Sequence, residues 1–425
     1  MRPVKLALMT VLLGILLSAC DGLSSSNIAM STRPREAHPV LVENGLPTLV
    51  DGNNAFALDI YQSLRSQDGN LILSPYSISL ALAMTYAGAR GETESQMAQV
   101  LHFGPQTATH TSFNELDLDV AQRGKKGLDP DQEPMKLSIA NAVWAEQNFP
   151  FLPDYLDMIA VNYGAGIHLA DFVNQFDPTR KEINNWVSDQ TEDKINDLLP
   201  DGSVGPDTRM VLVNAIYFKA DWLDQFDADS TEDAPFHLLD GSEVTVDMMN
   251  QDMYGVPYTQ GNGYQALELA YAGESAAMDI IVPDDGRFEE FESSFDQETF
   301  DAILNEMQPV SASLGLPKFD FTKDFNLSNT LKDMGMPDVF DRDRADFSGM
   351  TGGKDLFIGN VLHKAFVAVD EEGTEAAAAT AVIMETTSAP MFDVSLTIDR
   401  PFIFLIRDKV TGQILFIGRV LNPAQ

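Results

Sequence analysis

The sequence predicts a single large α+β domain, and three observations carry that prediction. Apolar residues recur at helical spacing through much of the first half of the chain. Short strand-like runs separated by Gly and Pro fill the second half. No linker-like stretch divides residues 49–425, and the chain shows no internal repeat.

Residues 21–48 are rich in Ser, Asn, Pro and small polar residues and read as a flexible tether ahead of the fold. Asn54 to Leu64 sets Phe56, Ile60, Tyr61 and Leu64 at helical spacing. Leu71-Ile72-Leu73 is a short strand. Ser74-Pro75 then opens a long apolar helix, Ile78 to Ala89, capped by Ser74 or Ser77 and ended by Gly88 and Gly91; Thr93 starts another. Leu137 to Trp144 is a strand and Pro153 to Val161 a helix. Asp177 to Leu199 is a longer helix carried by Ile183, Trp186, Val187, Ile195 and Leu198. Met210 to Phe218, nearly all apolar, is a buried strand. Short strands follow at 244–249, 253–259, 264–270 and 277–283, with Gly261-Asn262-Gly263 as a hairpin turn. Leu314 to Phe321 alternates as a strand and Asp324 to Met334 returns to helix. Phe402 to Arg407 and Gln413 to Val420 form a β-hairpin around Thr411-Gly412.

Composition is that of an ordinary globular chain, 44% hydrophobic and 21% charged over 425 residues. The charge is not ordinary: 64 acidic against 27 basic residues give a net −37. Such a surface repels phosphate backbones, so nucleic acid is excluded as a partner, and a short pair such as Lys125-Lys126 is too little for a heparin-like polyanion. The plain reading of the acidity is solvation, as in a salty medium.

Residues 1–19 read as a signal peptide. Arg2 and Lys5 form a basic head, Leu6 to Leu17 an apolar run too short for a bilayer span, and small residues precede Cys20. Leu17-Ser18-Ala19-Cys20 resembles the lipobox of bacterial lipoproteins, which implies cleavage and lipidation at Cys20. Cys20 is the only cysteine, so the mature fold would hold neither thiol nor disulfide. The expected location is across the inner membrane, anchored by lipid in the cell envelope, either periplasmic or at the cell surface. Asp21 after the cysteine matches a pattern linked in some bacteria with inner-membrane retention.

Signatures of catalysis are missing from the sequence. There is no G-x-S-x-G elbow, H-E-x-x-H, Walker loop or C-x-x-C, and the six histidines (38, 102, 110, 168, 237 and 363) include no i, i+4 pair for a metal. No enzyme activity, metal or cofactor is expected.

Function is carried by residues 371–391. The alanines alone favour a short helix. Strands precede and follow the segment, however, and its parity is that of a strand. The even series, Thr374, Ala376, Ala378, Thr380, Val382 and Met384, holds only small or apolar residues, whereas Glu375 and Glu385 fall on the odd series. The segment can therefore lie in a sheet with one face buried and its charges in solvent.

Glu371-Glu372-Gly373-Thr374-Glu375-Ala376-Ala377-Ala378-Ala379-Thr380 resembles the reactive-loop hinge of inhibitory serpins. The resemblance spans nearly all of residues 49–425. It includes Ser74-Pro75-Tyr76-Ser77-Ile78, Asn214-Ala215-Ile216-Tyr217-Phe218-Lys219-Ala220-Asp221-Trp222, His363-Lys364-Ala365 and Arg400-Pro401-Phe402-Ile403-Phe404. It implies one domain of three β-sheets and eight or nine helices with an exposed reactive-centre loop at about 371–393.

The mechanism this implies is suicide inhibition, in which a protease acylates itself on the loop and the cleaved loop inserts into the main sheet. An inserted strand gains on the order of a dozen hydrogen bonds at ~0.5–1.5 kcal/mol each, and Val382 and Met384 add ~1.5–3 kcal/mol apiece on burial. That rivals the ~5–15 kcal/mol stability of a whole domain.

Counting as the family does from Gly373, the reactive bond is Thr387-Ser388, with Met384-Glu385 and Met391-Phe392 as alternatives. The hinge residues are Glu371, Gly373, Thr374, Glu375 and Ala376. Ser74, Ser77, Asn214 and His363 match a polar shutter beneath the main sheet, and Trp222 a breach at its top. The implied partners are serine proteases, with cysteine proteases as an alternative, met by a monomer. No Lys or Arg lies between Glu371 and Asp399, so elastase-like or subtilisin-like targets are expected rather than trypsin-like ones. The rival class is a non-inhibitory serpin-fold binder, carrier or chaperone. Such members tend to carry bulky or charged hinge residues, which this inward series lacks.

Overall fold

Residues 27–123, 135–374 and 392–425 are described by the computed structural model. The chain opens with strand β1 (Asn27–Ala29), helix α1 (Gly45–Leu64), β2 (Leu71–Leu73), and helices α2 (Pro75–Tyr86), α3 (Gly91–Val100) and α4 (Gln106–Val120). There follow β3 (Lys136–Glu146), α5 (Pro153–Tyr163), β4 (Ile167–Ala170), α6 (Phe172–Gln190) and β5 (Met210–Asp221). The run of strands is β6 (Glu232–His237), β7 (Glu243–Gly261), β8 (Tyr264–Ala270) and β9 (Ala276–Pro283), followed by α7 (Phe288–Ser294) and α8 (Gln297–Glu306). The chain ends with β10 (Gln308–Pro317), β11 (Phe319–Asn326), α9 (Ser328–Met334), α10 (Ser348–Thr351), β12 (Asn360–Val369), β13 (Gly373–Thr374), β14 (Val394–Thr397), β15 (Phe402–Asp408) and β16 (Ile414–Val420).

The main sheet runs β1-β4-β3-β5-β13-β12-β11. Its centre, β5, is buried on both faces because both are covered. Val211, Val213 and Ala215 meet Phe172, Ile183 and Val187 of α6, while Met210, Leu212, Ile216 and Phe218 point into the principal core on the other side. The second sheet, β14-β10-β7-β8-β9-β15-β16-β2 with β6 on β7, supplies the opposite wall of that core.

Several expectations are corrected. Among the described residues, pairing joins the strands into two sheets rather than three, because the 19-residue β7 is continuous; its first part pairs β6 and its last pairs β8. It absorbs the two strands expected at 244–249 and 253–259. Ten α-helices form among the described residues rather than eight or nine, one of them only four residues long.

The helix expected over 177–199 begins at Phe172, kinks at Gln175 before Pro178, and stops at Gln190. Beyond it Glu192 and Asp193 take positive φ, and the Thr191 hydroxyl bonds the Ile195 amide in place of a helical carbonyl. The strand expected over 314–321 divides at Lys318 between β10 and β11. The helix expected from Asp324 starts only at Ser328, since 324–326 pair with β12. The tether reading of 21–48 fails for its described part: Asn27–Ala29 pair with β4, and α1 starts at Gly45. Cys20 lies outside the described residues.

Candidate functional site

β5 and β12 are parallel neighbours, paired from Asn360↔Val211 to Phe366↔Tyr217. Above that point they part, and β13 enters between them: Gly373 faces Asp221, and Thr374 faces both Ala220 and Val369. The seam of the main sheet is therefore closed below and wedged open above.

The closed part is fastened from beneath. α2 begins at Ser74 because its side chain caps the Ser77 amide and Pro75 suits the first turn. This sets both hydroxyls under the seam. Asn214 and His363 face each other in register across it. His363 Nδ1 donates to Asn214 Oδ1, Ser77 Oγ donates to the same oxygen at 3.0 Å, and the Ser74 amide donates to His363 Nε2 at 3.1 Å. Ser74 Oγ donates to the Leu415 carbonyl at 2.7 Å. All four residues are fully buried.

Asn141, opposite Asn214 on β3, completes the cluster. It accepts from Asn214 Nδ2 and donates to the Ser77 carbonyl at 3.0 Å. Sequence reasoning missed it, although a lone Asn in the apolar run 139–143 was a usable signal. Burial pushes the His363 pKa down to about 3, so the ring is neutral and its single proton is directed at Asn214.

The open part is organised around Trp222. Its Nε1 donates to the Asp370 carbonyl at 3.0 Å, and its amide donates to the Glu372 carbonyl at 2.8 Å. Its ring stacks on Tyr271 at 4.7 Å, and the Tyr271 hydroxyl meets Thr374 Oγ1 at 2.7 Å. Thr374 is 1% exposed, so the first member of the even series already points inward.

Gly373 must be glycine for a reason other than φ: a Cβ there would lie 2.2 Å from the Ala220 carbonyl oxygen and 2.7 Å from Asp221 Cα. Asp370 Oδ1 accepts the Glu372 and Gly373 amides, turning the chain from β12 into β13. Glu371 accepts from Thr231 Oγ1 at 2.7 Å and pairs with Lys318 at 2.8 Å. Burial works against the Glu371 charge, but these two bonds outweigh it and hold its carboxyl below the usual range. Tyr271, Lys318, Asp370 and Thr231 were not legible as site residues, because each lies at least 53 positions from the hinge in sequence or inside its turn.

The predicted site residues Ser74, Ser77, Asn214 and His363 thus come together, and Trp222, Glu371, Gly373 and Thr374 form a second group above them. Glu375, Ala376, Thr387 and Ser388 lie outside the described residues. Among the described residues, no group of His, Cys, Asp or Glu is placed to hold a metal ion.

Comparison with known proteins gives consistent matches. The family model for serpins (serine protease inhibitors) matches residues 51–423. Human leukocyte elastase inhibitor is 38% identical over 385 residues, covering 88% of this chain and 99% of the relative. A serpin-like protein of Thermococcus kodakarensis is 39% identical over 397 residues, covering 92% and 90%. Among solved structures, the thermophilic serpin tengpin in its native state superposes with a TM-score of 0.80 at 29% identity, over 92% of this chain and 97% of that one. Human thyroxine-binding globulin superposes with 0.79 at 30%, over 89% and 99%. With its wedged seam and buried polar fastening, this chain belongs to the serpin family.

Proposed function

We propose that the protein is a suicide-substrate inhibitor of elastase-like or subtilisin-like serine proteases, held in the cell envelope by lipid on Cys20. The observation that carries the inhibitory reading is β13: the segment bearing the uncharged even series starts as a strand between β5 and β12, with Thr374 buried. Continued antiparallel to β5, the register that sets Thr374 against Ala220 brings Met384 level with Met210 ten residues later, and Thr387 just beyond the strand's lower end.

The protease's catalytic serine would attack the Thr387 carbonyl and form an ester, while Ser388 leaves as a new amino terminus. Insertion then carries the ester, with the protease on it, to the lower pole. The driving force is the added ladder of hydrogen bonds and the burial of Val382 and Met384. The similarity to leukocyte elastase inhibitor supports protease inhibition generally, and the absence of Lys and Arg from 372–399 disfavours trypsin-like targets.

The test is to mix the purified protein with elastase, subtilisin and trypsin and resolve the products on a denaturing gel. Stable complexes with elastase or subtilisin, and none with trypsin cleaved within 372–399, are expected. A non-inhibitory binder would only be cut. Mass spectrometry of one complex locates the bond.

A further inference from the structure

Residues 27–44 lie ahead of the family match, yet they are built onto the body. β1 adds a strand to the free edge of β4, with Asn27 facing Leu169 and Ala29 facing Ile167. Gly166 makes room for it: a Cβ there would stand 2.7 Å from Ile28 Cγ2 and 2.9 Å from the Ala29 oxygen. Asn114 on α4, fully buried, is spent largely on this segment. It accepts from Arg35 Nε at 2.7 Å and donates to the Glu36 carbonyl at 2.7 Å. Arg35 also pairs with Asp117 at 2.7 Å, and the Glu36 amide donates to Val161 of α5 at 2.9 Å. The rest is shallow. The Arg33–Asp157 pair is solvent-exposed at 3.5 Å, and Val40 is 88% exposed.

The register fixes where this strap begins. Asn27 faces Leu169, Leu169 faces Ala145, and Ala145 faces Met210, so one row crosses the lower end of the sheet. That is the pole to which insertion would carry a protease. Four strand spacings, roughly 19 Å, separate β1 from the site of insertion. Seven residues from Cys20 to Asn27 span at most about 25 Å, whereas a protease of about 250 residues is roughly 45 Å across.

We propose that the strap couples membrane attachment to protease trapping: docked, it holds the receiving pole too close to the lipid for a protease, and it must peel from β4 and α4 for trapping to finish. Peeled back to Gly45, the same chain spans up to about 85 Å, enough to clear the protease. This rests on the inhibitory reading and on lipid at Cys20. The strap's three-residue strand and exposed ion pair suit it to release.

The experiment uses the chain begun at Cys20, which retains every described residue. Its single thiol is coupled either to a maleimide lipid in phosphatidylcholine vesicles or to a small soluble maleimide. Each form is titrated with elastase and subtilisin, and the fraction of inhibitor trapped rather than merely cleaved is read on a gel. The vesicle-held protein should waste several-fold more inhibitor per trapped protease than the soluble form. Gly166→Val, which evicts Ile28 and Ala29, should bring the vesicle-held form back toward the soluble value, as should Arg35→Ala if the first variant folds poorly. Equal trapping by the two wild-type forms, or a vesicle deficit untouched by both variants, overturns the proposal. Absence of trapping by the soluble form overturns the inhibitory reading itself, and the proposal with it.

Discussion

The two halves of the β5–β12 seam are held by different physics. Below, the strands are each other's partners, and their meeting point is pinned by hydrogen bonds among the buried Asn214, His363, Ser77 and Ser74 and the half-buried Asn141. Above, the strands are already apart. There the hinge is held by an aromatic stack, the Tyr271 and Thr231 hydroxyls, the bonds of Trp222 and Asp370 to the turn backbone, and the Lys318–Glu371 ion pair. Opening the lower half leaves buried polar groups in search of partners, whereas extending the upper half only continues a strand that has begun. The barrier to insertion therefore belongs below the seam's midpoint and the direction of insertion is set above it.

The largest effect should come from charging the strand that has begun. Thr374→Arg would place an unpaired guanidinium against Tyr271, at a cost of several kcal/mol if buried. The variant should fold with its hinge expelled and be cut by proteases as a substrate. No covalent complex should form, and the cut protein should lack the rise in thermal stability that insertion gives. Undiminished complex formation by this variant would break the assignment of direction to the upper half.

How much of this was legible in the sequence follows the same division. The shutter set was legible only through the family resemblance; the structure then brings Ser74 and Ser77, at a helix start, to Asn214 and His363 inside the paired strands β5 and β12. Parity exposed the even series of the loop, and Thr374 shows its inward direction. What stayed hidden depends on chain segments far apart in sequence. Tyr271 is an ordinary aromatic just past the end of β8 until Trp222 lies flat against it, and Lys318 gains meaning only from Glu371, 53 residues away. The strap was misread because its composition is that of a linker, while what holds it, Asn114 and Gly166, lies on other elements.

A smaller effect should appear with pH, in the lower half. The folded pKa of His363 is depressed to about 3 from the ordinary 6.5, so the sign is fixed. Above pH 6.5 both folded and unfolded chains carry the neutral ring. Between about 6.5 and 3 the unfolded chain takes up a proton that the fold refuses, so stability falls across that window. His110, buried between α4 and α5 and likewise near 3, adds to the same loss. The share of His363 is isolated by comparison with His363→Asn, followed by urea unfolding from pH 7.5 to 4. The variant should be less stable at pH 7, and the gap to wild type should narrow as pH falls. A gap constant with pH would remove the buried neutral imidazole from the lower fastening.

The smallest effect should come from Lys318→Ala in the upper half. The ammonium is about one-third exposed and its bond to Glu371 runs near the surface, so the pair is worth only ~0–1 kcal/mol by the behaviour of exposed ion pairs. Glu371 keeps the Thr231 hydroxyl, and the Phe226 amide still holds its carbonyl at 2.9 Å. Removing Lys318 should therefore leave global unfolding nearly unchanged while loosening the turn that feeds β13. Amide exchange at Glu372 and Gly373 should accelerate, while exchange at Asn214 and its neighbours stays as it was. Exchange rising equally at both places would mean that the two halves of the seam open as one unit, and the contrast between fastening and wedge would have to be given up.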